Sequence, residues 1–250
     1  MSTALQVDGL VKRFGGLEAT RDVSLQIEAG TIHALIGPNG AGKTTLISLL
    51  SGYQAADAGS IAFFGKPLQH LTQQARVRAG LVRSFQITSV FGSLSVLENL
   101  QVSVQRRHHR GFGFFAAASA DRRARDEAAA IAERVGLGRQ LGTCGDALSH
   151  GMRRRLDVGL SLACAPRMLL MDEPMAGMGH DEADDVVALI RSLTPELTIL
   201  LVEHDMDAVF ALADRITVLL LGAVLASGTA SEIRDNPEVR AAYLGDEGTA

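Results

Sequence analysis

The sequence predicts an α/β protein with an added antiparallel β segment and a helical insertion, and three features carry that expectation. A glycine-rich stretch at residues 37–45 (GPNGAGKTT) joins a short apolar strand to an apolar helix. A second apolar strand, residues 168–171 (MLLM), runs directly into Asp172 and Glu173. Beyond it, apolar strand-like and helical segments alternate as far as residue 221, the pattern of a sheet covered by helices.

In chain order, residues 5–14 (LQVDGLVKRF), 23–27 (VSLQI) and 59–64 (GSIAFF) are short alternating or apolar segments parted by Gly, Asp and Ala-Gly turns. They predict antiparallel strands. Phe14 closes the first, ahead of Gly15 and Gly16; an aromatic there either stacks on a ligand ring or sits as a core or edge phenylalanine. Residues 31–36 (TIHALI) predict a strand and residues 44–50 (TTLISLL) a helix stopped by Gly52. Between them Gly37, Gly42, Lys43 and Thr44 fill the fixed places of the spacing Gly, four residues, Gly, Lys, Ser/Thr. These residue types suit a polyphosphate. Glycines at 37, 40 and 42 let backbone N–H groups turn inward and approach closely. Lys43 can set its ammonium beside the terminal phosphates, and Thr44 can offer its hydroxyl to a magnesium ion. The helix N-terminus favours an anion at the same spot.

After Gly65 the pattern is loop and helix up to residues 83–86 (RSFQ). Residues 87–100 (ITSVFGSLSVLENL) are apolar with few charges and predict loop plus one helical turn, either a partner surface or core. Residues 105–126 are expected to be the least structured part. Their basic cluster, residues 106–110, is either a solvated loop or a contact for lipid headgroups or an acidic partner. Residues 121–137 predict a helix with an Asp cap, an alanine-rich interior and a stop at Gly136. Ser149 fits as the N-cap of a further helix over residues 151–165, ended by Pro166.

The strand 168–171 then delivers Asp172 and Glu173 to its C-terminal end, the edge at which open parallel sheets bind ligands. Neighbouring side chains on a strand point to opposite faces, so the two carboxylates can do different jobs. Residues 181–193 predict a helix, 197–202 (LTILLV) a strand ending at Glu203 and His204, 206–215 a helix and 216–221 (ITVLLL) a strand. The tail holds two short helices around Pro237.

Composition limits the function classes. At 250 residues and 47% hydrophobic the chain can build a substantial core. A net charge of −4 argues against an electrostatic nucleic-acid binder. No run approaches a membrane span, and the N-terminal residues lack a charged region followed by an apolar one, so the expected location is the cytoplasm. Cys144 and Cys164 show no metal or disulfide spacing and are expected to be buried small apolar side chains.

Taken together, the phosphate loop, Gln86, the step LSHG at residues 148–151, the strand MLLMDEP and the stretch VEHD at residues 202–205 resemble the nucleotide-binding subunits of ABC transporters. The resemblance runs from Leu5 to Gly245. It implies a P-loop NTPase fold of the ABC ATPase type: a mixed sheet core with an antiparallel β subdomain and an inserted α-helical subdomain. It divides one domain into a catalytic body at residues 1–86 and 166–228, a helical subdomain at 87–165 and a helical tail at 229–250.

By the same resemblance, Phe14 stacks on adenine, and Gly37, Pro38, Asn39, Gly40, Ala41, Gly42, Lys43, Thr44 and Thr45 bind the phosphates. Thr44, Gln86 and Asp172 attend a magnesium ion, and Gln86 also touches the attacking water. Glu173 polarises that water, and His204 is the switch histidine near the γ-phosphate. Ser149 and Gly151 face the ATP held by a second subunit, so the site is completed across a dimer. Three positions depart from the family pattern: His150 in place of glycine, Met152 in place of glutamine, and Gly179 in place of aspartate or asparagine.

Within that family, the stretches IHALIGPNGAGKTTLI, RSFQITSVF, VEHDMDAVFALADRITVL and AAYLG are similar to the ATPases of branched-chain amino acid importers. Urea-importer ATPases share the LSHG step and the AGM that follows the DEP stretch. The implied partners are transmembrane permease subunits, a second ATP-binding subunit that is either identical or a sister ATPase, and, indirectly, a periplasmic solute-binding protein. Nucleic acid is not among them, and the implied location is peripheral on the cytoplasmic face of the inner membrane.

Overall fold

A computed structural model describes residues 2–84, 90–108 and 118–244. Their chain order is β1 (Thr3–Phe14), β2 (Leu17–Glu28), β3 (Ile32–Ile36), α1 (Lys43–Ser51), β4 (Ala58–Phe63), β5 (Lys66–Pro67), α2 (Gln73–Ala79), β6 (Leu81–Arg83), α3 (Val96–His108) and α4 (Ala118–Arg134). There follow α5 (His150–Ala163), β7 (Met168–Asp172), α6 (His180–Ser192), β8 (Thr198–Val202), α7 (Met206–Leu212), β9 (Arg215–Leu220), β10 (Ala223–Gly228), α8 (Ala230–Asp235) and α9 (Pro237–Leu244). The chain divides into two compact units. One holds residues 1–83, 167–173 and 190–250; the other holds residues 84–166 and 174–189.

The first unit contains both sheets. An antiparallel sheet runs β2-β1-β4-β5, and a mixed sheet runs β10-β9-β3-β8-β7-β6 with only β10 antiparallel to its neighbour. Strands β3, β7 and β8 are buried along their whole length. Such strands read as unbroken apolar runs because both faces are covered. Leu35 of β3 packs with Leu46 and Leu50 of α1, Leu170 of β7 and Leu5 and Ile27 of the antiparallel sheet. Ala34 and Ile36, one residue either side, pack on the opposite face with Val209, Val218 and Ile233. That alternation is the period of two of a strand placed between two layers.

The second unit is helical. Val104 of α3, Ala124 of α4 and Ala163 of α5 meet in its core, with Ile131 against them. Arg107 ties the three helices by donating to the Ala163 carbonyl at 3.1 Å and to Glu127. Residues 174–189 group with these helices, whereas the sequence resemblance implies an α/β body running unbroken from residue 166 to 228. Polar contacts join this segment to α5: Arg154 Nε donates to the Pro174 carbonyl at 2.9 Å, and Arg155 pairs with Asp185.

Other expectations also change. Residues 96–108 form one 13-residue helix in place of a single turn, and α4 begins at Ala118, so helix enters at both ends the segment expected to be least structured. The basic cluster at 106–110 lies partly outside the described residues. Strand β6, unforeseen in the sequence, adds the outermost parallel strand by pairing with β7. Cys144 is exposed and Cys164 half-buried, so the small apolar core role fails for the former: Cys144 sits on a surface bridge to Ser95.

Candidate functional site

Strand pairing assembles the site. Leu35 of β3 lies beside Val202 of β8, and Val202 lies beside Asp172 of β7. The three C-terminal strand ends therefore stand in one row. From that row issue the 37–45 loop, Glu203 with His204, and Glu173, the topological position at which open α/β sheets bind ligands.

The loop is shaped by close backbone packing. A methyl group at Gly37 would lie 2.2 Å from the Leu219 carbonyl, and one at Gly42 would lie 2.4 Å from the Ala19 carbonyl. Gly222 donates its N–H to the Ala41 carbonyl at 3.0 Å and accepts from Arg21 N–H at 2.7 Å. The β9–β10 turn thus backs the loop. Gly42, with φ +102°, is the N-cap of α1, and no side chain caps the helix. Its first-turn N–H groups are left for another acceptor, the arrangement that favours an anion. Lys43 Nζ donates to the carbonyls of Gly37 at 2.5 Å and Pro38 at 3.0 Å. Burial pushes its pKa down, while Glu173 and Asp172 pull it up, which puts both carboxylates within electrostatic reach of the loop. Thr44 is exposed and Thr45 half-buried.

Asp172 is buried, and Arg83 Nη2 donates to its Oδ2 at 2.9 Å. Glu173 has a left-handed backbone, φ +48°, and its N–H bonds the Val202 carbonyl at 2.9 Å. A non-glycine residue held there is strained, a condition that clusters at functional sites. His204 Nδ1 lies 3.7 Å from Glu173 Oε1 and 3.9 Å from Glu203 Oε2. Glu203 is buried and accepts the His204 backbone N–H at 3.2 Å.

Phe14 ends β1, half-exposed, with Lys12 Nζ 5.5 Å from its ring centre. Ser149 is the N-cap of α5, in the helical unit, and accepts from Met152 N–H at 3.3 Å. Gly151 follows in the first turn, donating to Glu182 Oε1 at 3.4 Å. Gln86 lies outside the described residues. The structure therefore brings the 37–45 loop, Asp172, Glu173 and His204 together in one unit and puts Ser149 and Gly151 in the other. The sequence by itself assigns no role to Arg83 or Glu203. Arg83 immediately precedes the segment of Gln86 and Glu203 adjoins His204, but neither position by itself signals a contact.

The ABC transporter family model matches residues 20–176, a span that begins in β2 and ends just past the carboxylate pair. The chain belongs to the ABC transporter ATPase family. A second family model, the branched-chain amino acid ATP-binding cassette transporter, matches residues 223–249 of this ATPase. Its similar relatives include the high-affinity branched-chain amino acid transport ATP-binding protein BraF of Pseudomonas aeruginosa, 41% identical over 97% of this chain and 98% of that one. LivG of Salmonella typhimurium, of the same description, is also 41% identical over 97% and 98%. Among solved structures, the ADP conformation of MJ1267, an ATP-binding cassette of an ABC transporter, superposes with a TM-score of 0.87 at 27% identity, covering 98% of this chain and all of that one. The cassette is thus a nucleotide-binding ATPase. None of its helices, among the described residues, is long and apolar enough to cross a membrane.

Proposed function

We propose that this cassette is the ATP-hydrolysing subunit of an importer for branched-chain or other hydrophobic amino acids, acting through ATP-driven pairing of two cassettes. What carries the reading is similarity over almost the whole chain to two branched-chain amino acid transport ATP-binding proteins. The family segment at residues 223–249 supports it independently. Permease subunits, a second cassette and, indirectly, a solute-binding protein are the partners this requires, with the cassette peripheral to the membrane.

Residues 37–45 bind the phosphates of ATP through inward N–H groups and the α1 N-terminus. Lys43 exchanges two neutral carbonyls for phosphate oxygens, a charge-assisted gain available only with nucleotide present. Phe14, half-exposed at a strand end, offers its ring to the adenine. Thr44, Asp172 and Gln86 are the residues to hold a magnesium ion. A hydroxyl and a carboxylate are hard oxygen donors of the kind that suit a cation completing its shell with phosphate and water. When bound, the ion would neutralise charge on the phosphates and orient them.

Glu173 orients the attacking water and takes its proton. His204, whose Nδ1 faces Glu173 Oε1, couples that carboxylate to the end of β8. Ser149 and Gly151 open a 14-residue helix whose N-terminus serves the nucleotide of the partner cassette. Hydrolysis removes the anion both cassettes share and with it the preference for the closed pair.

The test is reconstitution with the permeases that co-purify. ATP turnover should rise with a binding protein loaded with leucine or a similar amino acid, and stimulation by urea alone would overturn the cargo assignment.

A further inference from the structure

Strand β6 sits at the outer edge of the mixed sheet, parallel to β7, with Arg83 opposite Leu170. Side chains two apart on a strand share a face, so Leu170 and Asp172 point the same way and Arg83 joins them. Leu170 packs against Leu46 and Leu50 of α1 on that face. From this row Arg83 reaches forward. Its Nη2 donates to Asp172 Oδ2 at 2.9 Å, and its Nη1 approaches Ser48 Oγ of α1 at 3.4 Å. The Asp172 side chain is 3% exposed and that of Arg83 18%. A carboxylate so buried needs charge compensation, and removing one partner of such a pair is far more costly than its surface equivalent. A guanidinium cannot lose its proton to relieve a nearby cation.

We propose that Arg83 is a positioning residue for Asp172 that also sets the strength of its metal binding. Resting on the reading that Asp172 attends the metal, the inference adds an opposing charge. With Arg83 already on the carboxylate, a divalent cation arriving there meets a fixed positive charge, so it is held weakly unless nucleotide phosphates contribute. Metal retention thereby becomes conditional on nucleotide. Arg83 also ties β6 to α1 and β7.

The experiment measures Mn2+ binding by electron paramagnetic resonance, without nucleotide and with ADP, for the parent, Arg83→Gln, Arg83→Lys and Asp172→Asn. In Arg83→Gln, nucleotide-free Mn2+ affinity should rise by about tenfold, since a unit charge within a few ångströms of the site is removed. The metal-free melting temperature of that variant should fall, and Mn2+ should restore more of it than in the parent. Arg83→Lys keeps the charge and should bind Mn2+ within about twofold of the parent, a comparison that stands even where Arg83→Gln folds poorly. A purely structural Arg83 would make Mn2+ binding weaker or leave it unchanged in Arg83→Gln, and that overturns the inference. An affinity gain in Arg83→Lys as large as the gain expected of Arg83→Gln overturns it equally. Should Asp172→Asn bind Mn2+ as the parent does, the assignment of Asp172 itself fails, separately from Arg83.

Discussion

Two glycines of the 37–45 loop separate backbone conformation from close packing. At Gly37, φ is +151° and an added methyl group would stand 2.2 Å from the Leu219 carbonyl and 3.1 Å from Ala41 Cβ. The carbonyl has little room to give, because Leu219 is buried and held in β9 opposite Val224 of β10. At Gly40, φ is +79° and nothing lies within 4 Å. Gly40→Ala should therefore cost only the left-handed conformation, about 1–2 kcal/mol. Gly37→Ala adds a clash to backbone strain. With about 1–3 kcal/mol for each term, the expected loss is roughly 2–6 kcal/mol. For a chain of this size each kcal/mol moves the melting temperature by about 2–4 °C, so mid-range losses predict falls of about 8–16 °C against about 3–6 °C. Calorimetry of the two nucleotide-free variants beside the parent makes the comparison. Equal falls, or the larger one in Gly40→Ala, would show that Leu219 of β9 does not back the loop as described.

Further outcomes follow from the same geometry. Glu173→Gln keeps the shape and removes the base, so nucleotide binding should persist while phosphate release drops by about 10²-fold or more; phosphate release at the parent rate would exclude Glu173 from water activation. Lys43→Ala should weaken nucleotide binding by at least about tenfold in a titration with fluorescent ATP. Normal affinity in that variant would count against the loop as the phosphate site. His33 is buried beside Thr217, Nε2 to Oγ1 at 2.8 Å, and burial, aided by Arg215, lowers its pKa from 6.5 to about 4. The unfolded chain then takes up this proton first, so the contribution to stability is present above pH 6.5 and drains away as pH falls toward 4. Between pH 7 and 5 the parent should lose about 2 kcal/mol more than His33→Gln in urea unfolding; identical pH dependence in the two would refute the buried neutral imidazole.

Much of the site was legible because its signals are local. The 37–45 loop is a short run of residue types demanded by backbone geometry, and α1 from Lys43 to Ser51, capped by Gly52 at φ +76°, lies within a residue of the expected helix. The unbroken apolar runs of β3, β7 and β8 announced strands covered on both faces. Less visible were features set by contacts between distant residues. Helix α3 outlasts its expected single turn because Val104 and Arg107 dock against α4 and α5. Cys144 is exposed although its residue type favours the core.

Sequence alone thus determined the chemistry on offer: a glycine cradle with a lysine, two adjacent carboxylates after an apolar strand, a histidine after another. Tertiary structure decided their company. The order β3-β8-β7 sets three strand ends from far apart in the chain side by side, and β6 beside β7 brings Arg83 onto Asp172 across 89 residues. Hydrogen-bonded strand pairing chooses such neighbours, and it leaves no mark in the local pattern of the residues it joins.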